Sequence, residues 1–370
     1  DAHRTTAELI VDCLENEGVT HVFGIPGEEN IRLIDALSRS SIDYVLTRHE
    51  QAASLMAEVY GRLTGKAGVC SATLGPGAIN LLLGVADATT NSTPVLALSA
   101  QVGMARSYKE SHQSVDLVAM FAPVTKWSAL VATPGAVPEM VRKAFKLAQT
   151  ERPGAVYLAV PEDVEEADAP EDSTPLRINV PRPDDPSAAQ IARAAEILNS
   201  ARNPVLLAGH GAARGDASAA VRRFAESLGM PVATTFHGKG IIADDHALAL
   251  GAVGFMRHDY VNFGFDQADV IVAAGYELQE FDPVRINPRG DTKIIHIHRF
   301  PAEVDVHYDV AVGLHADIGR CLDALAAAVV RDQPYSSGHE RIRELLADEL
   351  DRGRADGSFP LTPARIVADT

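Results

Sequence analysis

The stretch His21-Val22-Phe23-Gly24-Ile25-Pro26-Gly27 passes from β-favouring residues directly into a glycine–proline turn. Just after it, Ile31, Leu33, Ile34 and Leu37 fall at helical spacing within Glu28 to Leu37. A strand that ends in a tight turn and leads into an amphipathic helix is the unit of a parallel sheet. The unit repeats downstream. Asp43 to Thr47 reads as a second strand and His49 to Leu63 as its helix. Gly68 to Thr73 is a third strand, followed by the turn Gly75-Pro76-Gly77 and a helix to about Ala88. Pro94 to Ser99, a helix over Val137 to Thr150, and a strand over Ala155 to Val160 close the block. This alternation predicts an α/β, doubly wound, mostly parallel sheet with helices on both faces.

Outward from this block the pattern breaks and then resumes. Pro161 to Pro186 holds prolines at 161, 170, 175, 181, 183 and 186, with nine acidic residues against two arginines, and reads as an extended linker. Alternation returns with a helix from Ala188 to Leu198 and strands at Pro204 to Ala208, Val232 to Thr235, Asp269 to Ala274 and Lys293 to Ile297. Helices over Ala217 to Leu228 and Asp317 to Val329 complete it. A charged helix from Glu340 to Leu350 follows, and Thr362 to Val367 opens another whose apolar face has barely started. The expected organisation is a first domain over 1–165, a linker over 166–186, a second doubly wound domain over 187–333, and, over 334–370, a linker and the start of a further domain. The chain does not begin with Met, so more sequence is expected upstream as well.

Composition narrows the function classes. With 370 residues, 46% hydrophobic and 22% charged, the chain suits two or three folded domains. Its net charge of −17 repels phosphate backbones, and no basic run offsets that, so nucleic acid is excluded as a partner. A small anionic substrate would need positive groups of its own in a cleft. No run of about 18 apolar residues occurs, so no membrane partner is expected. Cys13, Cys70 and Cys321 are odd in number and widely spaced, which reads as reduced core thiols and a cytoplasmic location.

Few residues stand out as chemical. Glu50, in Arg48-His49-Glu50-Gln51, sits straight after a strand in the first turn of a helix. An acid there stabilises the helix by about 0.3–1 kcal/mol through the dipole, so its position alone needs no site. The carboxyl ends of parallel strands are also where open α/β sheets bind ligands. Gly24-Ile25-Pro26-Gly27 and Thr73-Leu74-Gly75-Pro76-Gly77-Ala78-Ile79-Asn80 fall at other strand ends of the same sheet, where a ligand could approach backbone closely. Three such ends together suggest a site.

These residues carry a resemblance. Phe23 to Gly27, Arg48-His49-Glu50, Gly61-Arg62-Leu63-Thr64-Gly65 and Ala72 to Asn80 resemble the pyrimidine-binding domain of thiamine-diphosphate enzymes. Within that superfamily they are most similar to the acetolactate (acetohydroxyacid) synthase large subunits. Ser111-His112-Gln113-Ser114-Val115-Asp116, Phe121-Ala122-Pro123-Val124-Thr125-Lys126, Arg152-Pro153-Gly154 and Val160-Pro161-Glu162-Asp163 extend the likeness. The resemblance implies that Glu50 is catalytic: its carboxyl hydrogen-bonds the cofactor's pyrimidine ring nitrogen and promotes formation of the thiazolium ylid. It places Pro26, Gly27, Thr73, Gly77, Asn80 and Gln113 around the cofactor. His112, Gln113, Phe121 and Lys126 become substrate-pocket residues.

The second block would be the family's Rossmann-like central domain. Gly209-His210-Gly211-Ala212-Ala213-Arg214-Gly215 nearly fits a dinucleotide turn, with its last glycine one place late. Gly275 to Pro283 resembles the catabolic, flavin-free form, and His296-Ile297-His298-Arg299 stands where flavin-binding relatives carry acids, so FAD is not expected. The His296/His298 pair has no metal-ligand partners at suitable spacing, and no metal site is assigned to this chain. Magnesium and the cofactor's diphosphate belong in the family to a third domain with a Gly-Asp-Gly…Asn-Asn signature, which this sequence does not contain. The resemblance thus implies condensation of two pyruvates to 2-acetolactate with loss of CO2. It also implies a homodimer or homotetramer with its site at the subunit interface, and no activity from these 370 residues alone. Another thiamine-diphosphate-dependent 2-oxoacid decarboxylase or oxidase is the nearest alternative. A dinucleotide-binding oxidoreductase, resting on Gly209 to Gly215, is the alternative of another class.

Overall fold

The structure, a computed structural model, describes residues 3–256, 259–335 and 339–370. It divides into two compact units, Asp1–Pro181 and Arg182–Thr370.

The first unit runs α1 (Thr6–Asn16), β1 (His21–Gly24), α2 (Ile31–Ser38), β2 (Asp43–Leu46), α3 (Glu50–Thr64), β3 (Gly68–Ala72), α4 (Pro76–Asn80), α5 (Leu82–Thr90), β4 (Val95–Gln101), α6 (Leu117–Phe121), β5 (Trp127–Leu130), α7 (Val137–Gln149), β6 (Ala155–Pro161) and α8 (Glu162–Glu166). Its strands form one sheet in the order β2-β1-β3-β4-β6-β5, with every neighbouring pair parallel. The side-chain period of two splits the core across the sheet. Leu96, Leu98, Val156 and Leu158 pack on one face with α1 and α7. Val95, Ala97, Ala155 and Tyr157 pack on the other with α3 and α5. Both faces are therefore apolar, as in a parallel sheet covered on each side.

Local chemistry fixes the helix ends. Thr5 and Glu8 form a reciprocal capping box at α1, and Gly65 ends α3 in the left-handed region at φ 68°.

The second unit runs α9 (Ala188–Ser200), β7 (Pro204–Ala208), α10 (His210–Arg214), α11 (Ser218–Leu228), β8 (Val232–Thr234), β9 (Ala249–Ala252), α12 (Tyr260–Asp266), β10 (Val270–Ala274), β11 (Lys293–His298), β12 (Val310–His315), α13 (Ile318–Ala328), α14 (Glu340–Ala355) and α15 (Pro363–Asp369). Its sheet, β12-β11-β10-β7-β8-β9, is again parallel throughout, with a separate core on each face. Two parallel α/β sheets agree with the predicted fold class. Among the described residues, no helix is long and apolar enough to cross a membrane.

The structure adds to the sequence reading in three ways. Strands β5, β9 and β12 were not predicted, and the helix expected from Gly77 to Ala88 is two helices that meet at Leu81. The proline-rich stretch also makes specific contacts. Ala169 N donates to Arg4 O at 2.8 Å and the Asn16 side-chain Nδ2 to Leu176 O at 3.0 Å, while Val164 is buried in the α1/α7 core and Ala169 packs against it, so its first half lies along the first helix.

One buried acid sets a pH dependence. Glu165 is 1% exposed, accepts from Leu33 N at 3.3 Å, and burial pushes its carboxyl up to about 8, with Glu166 and Glu162 adding to the effect. The unfolded chain releases this proton near the ordinary 4.5, while the folded chain keeps it until about 8. The unfolded state therefore binds fewer protons across that window, and stability falls as pH rises through it. Glu165→Gln is expected to flatten this fall, read as the difference in urea midpoint between about pH 5 and about pH 8.

Candidate active site

The carboxyl ends of β1, β2 and β3 converge. The β2 strand runs out at Leu46, and Thr47 N still bonds Gly24 O at 3.0 Å, so the chain stays pinned to β1 before it turns into α3. His49, extended at φ −153°, is the N-cap, and its ring nitrogen accepts from Gln51 N at 3.1 Å. Glu50 is thereby the first residue of α3, half-buried, at the positive end of the helix. Asn80, the last residue of α4, donates from Nδ2 to Glu50 Oε2 at 2.9 Å. No donor among the described residues reaches Oε1, which faces Gly77: a Cβ on that glycine would lie 3.4 Å from it.

The floor beside Glu50 is made of close backbone approaches. A Cβ on Gly77 would sit 2.8 Å from Thr73 Cγ2, and one on Gly27 would sit 2.4 Å from Thr73 Cβ. Real Cβ atoms do not approach that closely, so Thr73 wedges between two positions that glycine alone fills without displacement. The wedge is held. Thr73 Oγ1 donates to Glu29 Oε2 at 2.6 Å, and Gly27 N donates to the buried Asn30 Oδ1 at 2.7 Å. Neither Glu29 nor Asn30 was singled out from sequence; an acid two places after the Pro26-Gly27 turn was the available signal. On the far side, Gln113 adopts φ 50° and its carbonyl lies 2.5 Å from where a Cβ of Gly75 would be.

Gly27, Glu50, Thr73, Gly77 and Asn80 thus form one contiguous cluster, with exposed Pro26 beside it and Gln113 packed on its Gly75 edge. His112 lies exposed next to Gln113. The other two predicted pocket residues do not join. Phe121 is fully buried in the core, stacked on Tyr157 with centroids 3.8 Å apart and planes 4° from parallel. Its position on the inner face of α6 makes it packing, not lining. Lys126 precedes β5, at the amino end of a parallel sheet whose carboxyl ends carry Glu50. Its ammonium donates to Thr150 O at 2.8 Å and to Leu147 O, capping the last turn of α7, where a cation meets unpaired carbonyls.

The arrangement fits the pyrimidine half of thiamine diphosphate. A half-buried carboxylate with one oxygen anchored and one open suits a weakly basic ring nitrogen, and the glycine floor lets a flat ring lie against backbone. Among the described residues no group of three or more His, Cys, Asp or Glu is arranged to hold a metal ion.

The second unit's glycine turn is occupied by its own side chains. Glu280 carboxylate oxygens accept from His210 N at 3.1 and 3.2 Å, at the start of α10 where a bound diphosphate would need that amide. Arg214 pairs with Glu277 at 3.0 Å, and a Cβ on Gly211 would meet His298 Nε2 at 2.4 Å. His296 is buried, bonded to Tyr308 Oη at 3.0 Å and to Phe300 O at 3.1 Å. All three cysteines are buried and free, and burial pushes each thiol up to about 12, which makes them poor nucleophiles.

Comparison with known proteins agrees with this geometry. Residues 4–120 match the thiamine pyrophosphate enzyme N-terminal TPP binding domain, and residues 191–325 match the thiamine pyrophosphate enzyme central domain. The chain is 36% identical to a probable acetolactate synthase large subunit of Methanocaldococcus jannaschii, over 98% of this chain and 63% of that protein. It is 36% identical to an acetolactate synthase of Bacillus subtilis, over 92% of this chain and 59% of the relative. It is 35% identical to a catabolic acetolactate synthase of Raoultella terrigena, over 98% and 65% respectively. The chain thus spans less than two thirds of each of these relatives. Two domain matches in family order, on two parallel α/β units, show that the chain belongs to the thiamine pyrophosphate enzymes and comprises their N-terminal and central domains.

Proposed function

We propose that this chain is the N-terminal and central part of a thiamine-diphosphate-dependent acetolactate synthase, which joins two pyruvates to 2-acetolactate with loss of CO2. The observation that carries the reading is Glu50 itself: a carboxylate at the glycine-floored end of a parallel sheet, anchored by Asn80 on one oxygen and open on the other. When bound, thiamine diphosphate supplies the electron sink for decarboxylation and carbon–carbon bond formation.

The chain's residues supply the rest. Glu50 shares a proton with the pyrimidine ring nitrogen. Asn80 holds Glu50 in one rotamer, so the proton moves along a fixed line. Gly27, Gly77 and Thr73 shape a close wall that leaves little room for water, with Pro26 and Gln113 at its edges. The diphosphate and magnesium are assigned to a third domain. A nucleotide-dependent oxidoreductase is disfavoured because Glu280 already takes the amide that a dinucleotide diphosphate would use. Formation of acetolactate from pyruvate by the full-length protein with thiamine diphosphate and magnesium tests the reading. Acetaldehyde as the sole product would shift it to a decarboxylase.

The site is proposed to be completed by a second copy of the chain. Met56, Val59 and Leu63 form one exposed stripe of α3, 42%, 48% and 80% exposed, and Leu46 at the end of β2 and Leu83 on α5 are also exposed, at 69% and 53%. An apolar helix face beginning six residues, less than two turns, from Glu50 suits a subunit contact. Val59→Asp with Leu63→Asp is expected to shift the protein to monomers by sedimentation, with activity lost in parallel.

A further inference from the structure

A monoanionic 2-oxoacid must approach a protein of net charge −17. At physiological salt, charges beyond about 8 Å are largely screened, so the groups at the mouth of the site decide whether it is drawn in. One loop concentrates such groups. Between β4 and α6, an open depression of about 550 Å³ is lined by Arg106, Lys109, Glu110, Ser111, His112 and Ser114. Arg106 and Lys109 are exposed and have no ion-pair partner among the described residues, and Lys109 lies 5.1 Å from the Tyr108 ring centroid. Glu110 is the one carboxylate in the lining.

The loop is tied down at both ends. Buried Gln101 donates from Nε2 to Val115 O at 3.0 Å and accepts from Val102 N at 2.8 Å, so one side chain holds the two ends together. Met104 N donates to Asp163 Oδ1 at 3.0 Å, and Asp116 caps α6 through Ala119 N at 2.9 Å. Between these ties, Gln113 takes a left-handed conformation that costs a non-glycine residue free energy, and it lies against Gly75, two residues from Gly77. Loop and crevice therefore share an edge.

We infer that Arg106 and Lys109, with His112 and the Ser111 and Ser114 hydroxyls, form an anion-collecting site. It binds the carboxylate of the 2-oxoacid at the rim before the ketone enters the crevice. This rests on the pyruvate reading above and adds Arg106 and Lys109, which lie outside the motifs that carry the family likeness, to His112, which the likeness already places at the substrate pocket. Two cations against one carboxylate give a local excess of positive charge, and the tethers fix where it is presented.

The test compares Arg106→Gln/Lys109→Gln with the charge-retaining Arg106→Lys/Lys109→Arg in the full-length protein. Two ligands serve as probes: pyruvate, and its neutral amide, pyruvamide. The neutralised variant is expected to raise KM for pyruvate about tenfold, with the difference shrinking as salt is added. The charge-retaining variant should stay near wild type. Line broadening of pyruvate in ligand-observed NMR should weaken in step, while that of pyruvamide should not. Undiminished pyruvate binding in the neutralised variant, or equal weakening of both ligands, overturns the site. Absence of turnover by the wild-type protein would instead overturn the pyruvate reading, and the NMR comparison would still decide whether this loop collects carboxylates.

Discussion

Glu50→Ala in the full-length protein should lower acetolactate formation from pyruvate by about a thousandfold, in the range typical for loss of a positioned acid–base group. The fold should survive, because Glu50 is half-buried on the first turn of α3 and its side chain makes a single hydrogen bond, to Asn80. The dipole benefit lost is only about 0.3–1 kcal/mol. Glu50→Gln separates the two functions of the side chain. It can still accept from Asn80 but cannot give up a proton, so it should be nearly as slow as Ala while keeping most cofactor affinity. Glu50→Asp retains the carboxyl but withdraws it by one methylene, and should keep a measurable fraction of activity. A Glu50→Ala enzyme within a few-fold of wild type would leave the residue with its dipole function alone.

Gly77→Ala is expected to weaken thiamine diphosphate binding by at least about tenfold, measured by calorimetric titration of the full-length protein. The added methyl would stand 2.8 Å from Thr73 Cγ2 and 3.4 Å from Glu50 Oε1. Thr73 cannot swing away freely, because its hydroxyl is held by Glu29 at 2.6 Å and its other side is closed by Gly27. The strain therefore falls on the crevice and on the open oxygen of Glu50. Relaxing the wedge should relieve it: Gly77→Ala with Thr73→Ser, which lacks the offending methyl, is expected to recover part of the affinity. Equal affinity in wild type and Gly77→Ala would place the cofactor elsewhere.

Much of the fold was legible because apolar runs in a two-sided parallel sheet are hard to mistake. Pro204 to Ala208 was read with its observed ends, and β1, β2, β3 and β6 to within a residue of theirs. The strands that escaped had weaker signals. Trp127–Leu130 is a half-buried edge strand, and Ala249–Ala252 is a short edge strand that contains a glycine. Val310–His315, also at an edge, alternates Val and Leu with Ala, Gly and His, so its apolar run stops after three residues. The break at Leu81 was invisible because Ala78 to Leu83 carries neither a proline nor a glycine.

The site was legible where chemistry and turn geometry coincide. Glu50, Gly27, Thr73, Gly77 and Asn80 lie at strand ends whose spacing fixes where they meet. Phe121 and Lys126 came only from a motif, and a motif does not say which end of the strand a side chain occupies. The parallel topology does. It sends Lys126 to the amino ends and turns Phe121 onto Tyr157. Glu29 and Asn30 were missed for the opposite reason: their partners are 44 residues away in the chain for Glu29, and in the turn's own backbone for Asn30. Periodicity registers neither.

Exchange of the thiazolium C2 proton of bound thiamine diphosphate with deuterated solvent tests the central claim most directly, because it reports the proton movement that Glu50 is assigned to drive. In full-length protein saturated with cofactor and magnesium, Glu50→Gln should exchange at least about a hundredfold more slowly than wild type. Equal exchange rates, with both proteins shown to be loaded, would contradict the account.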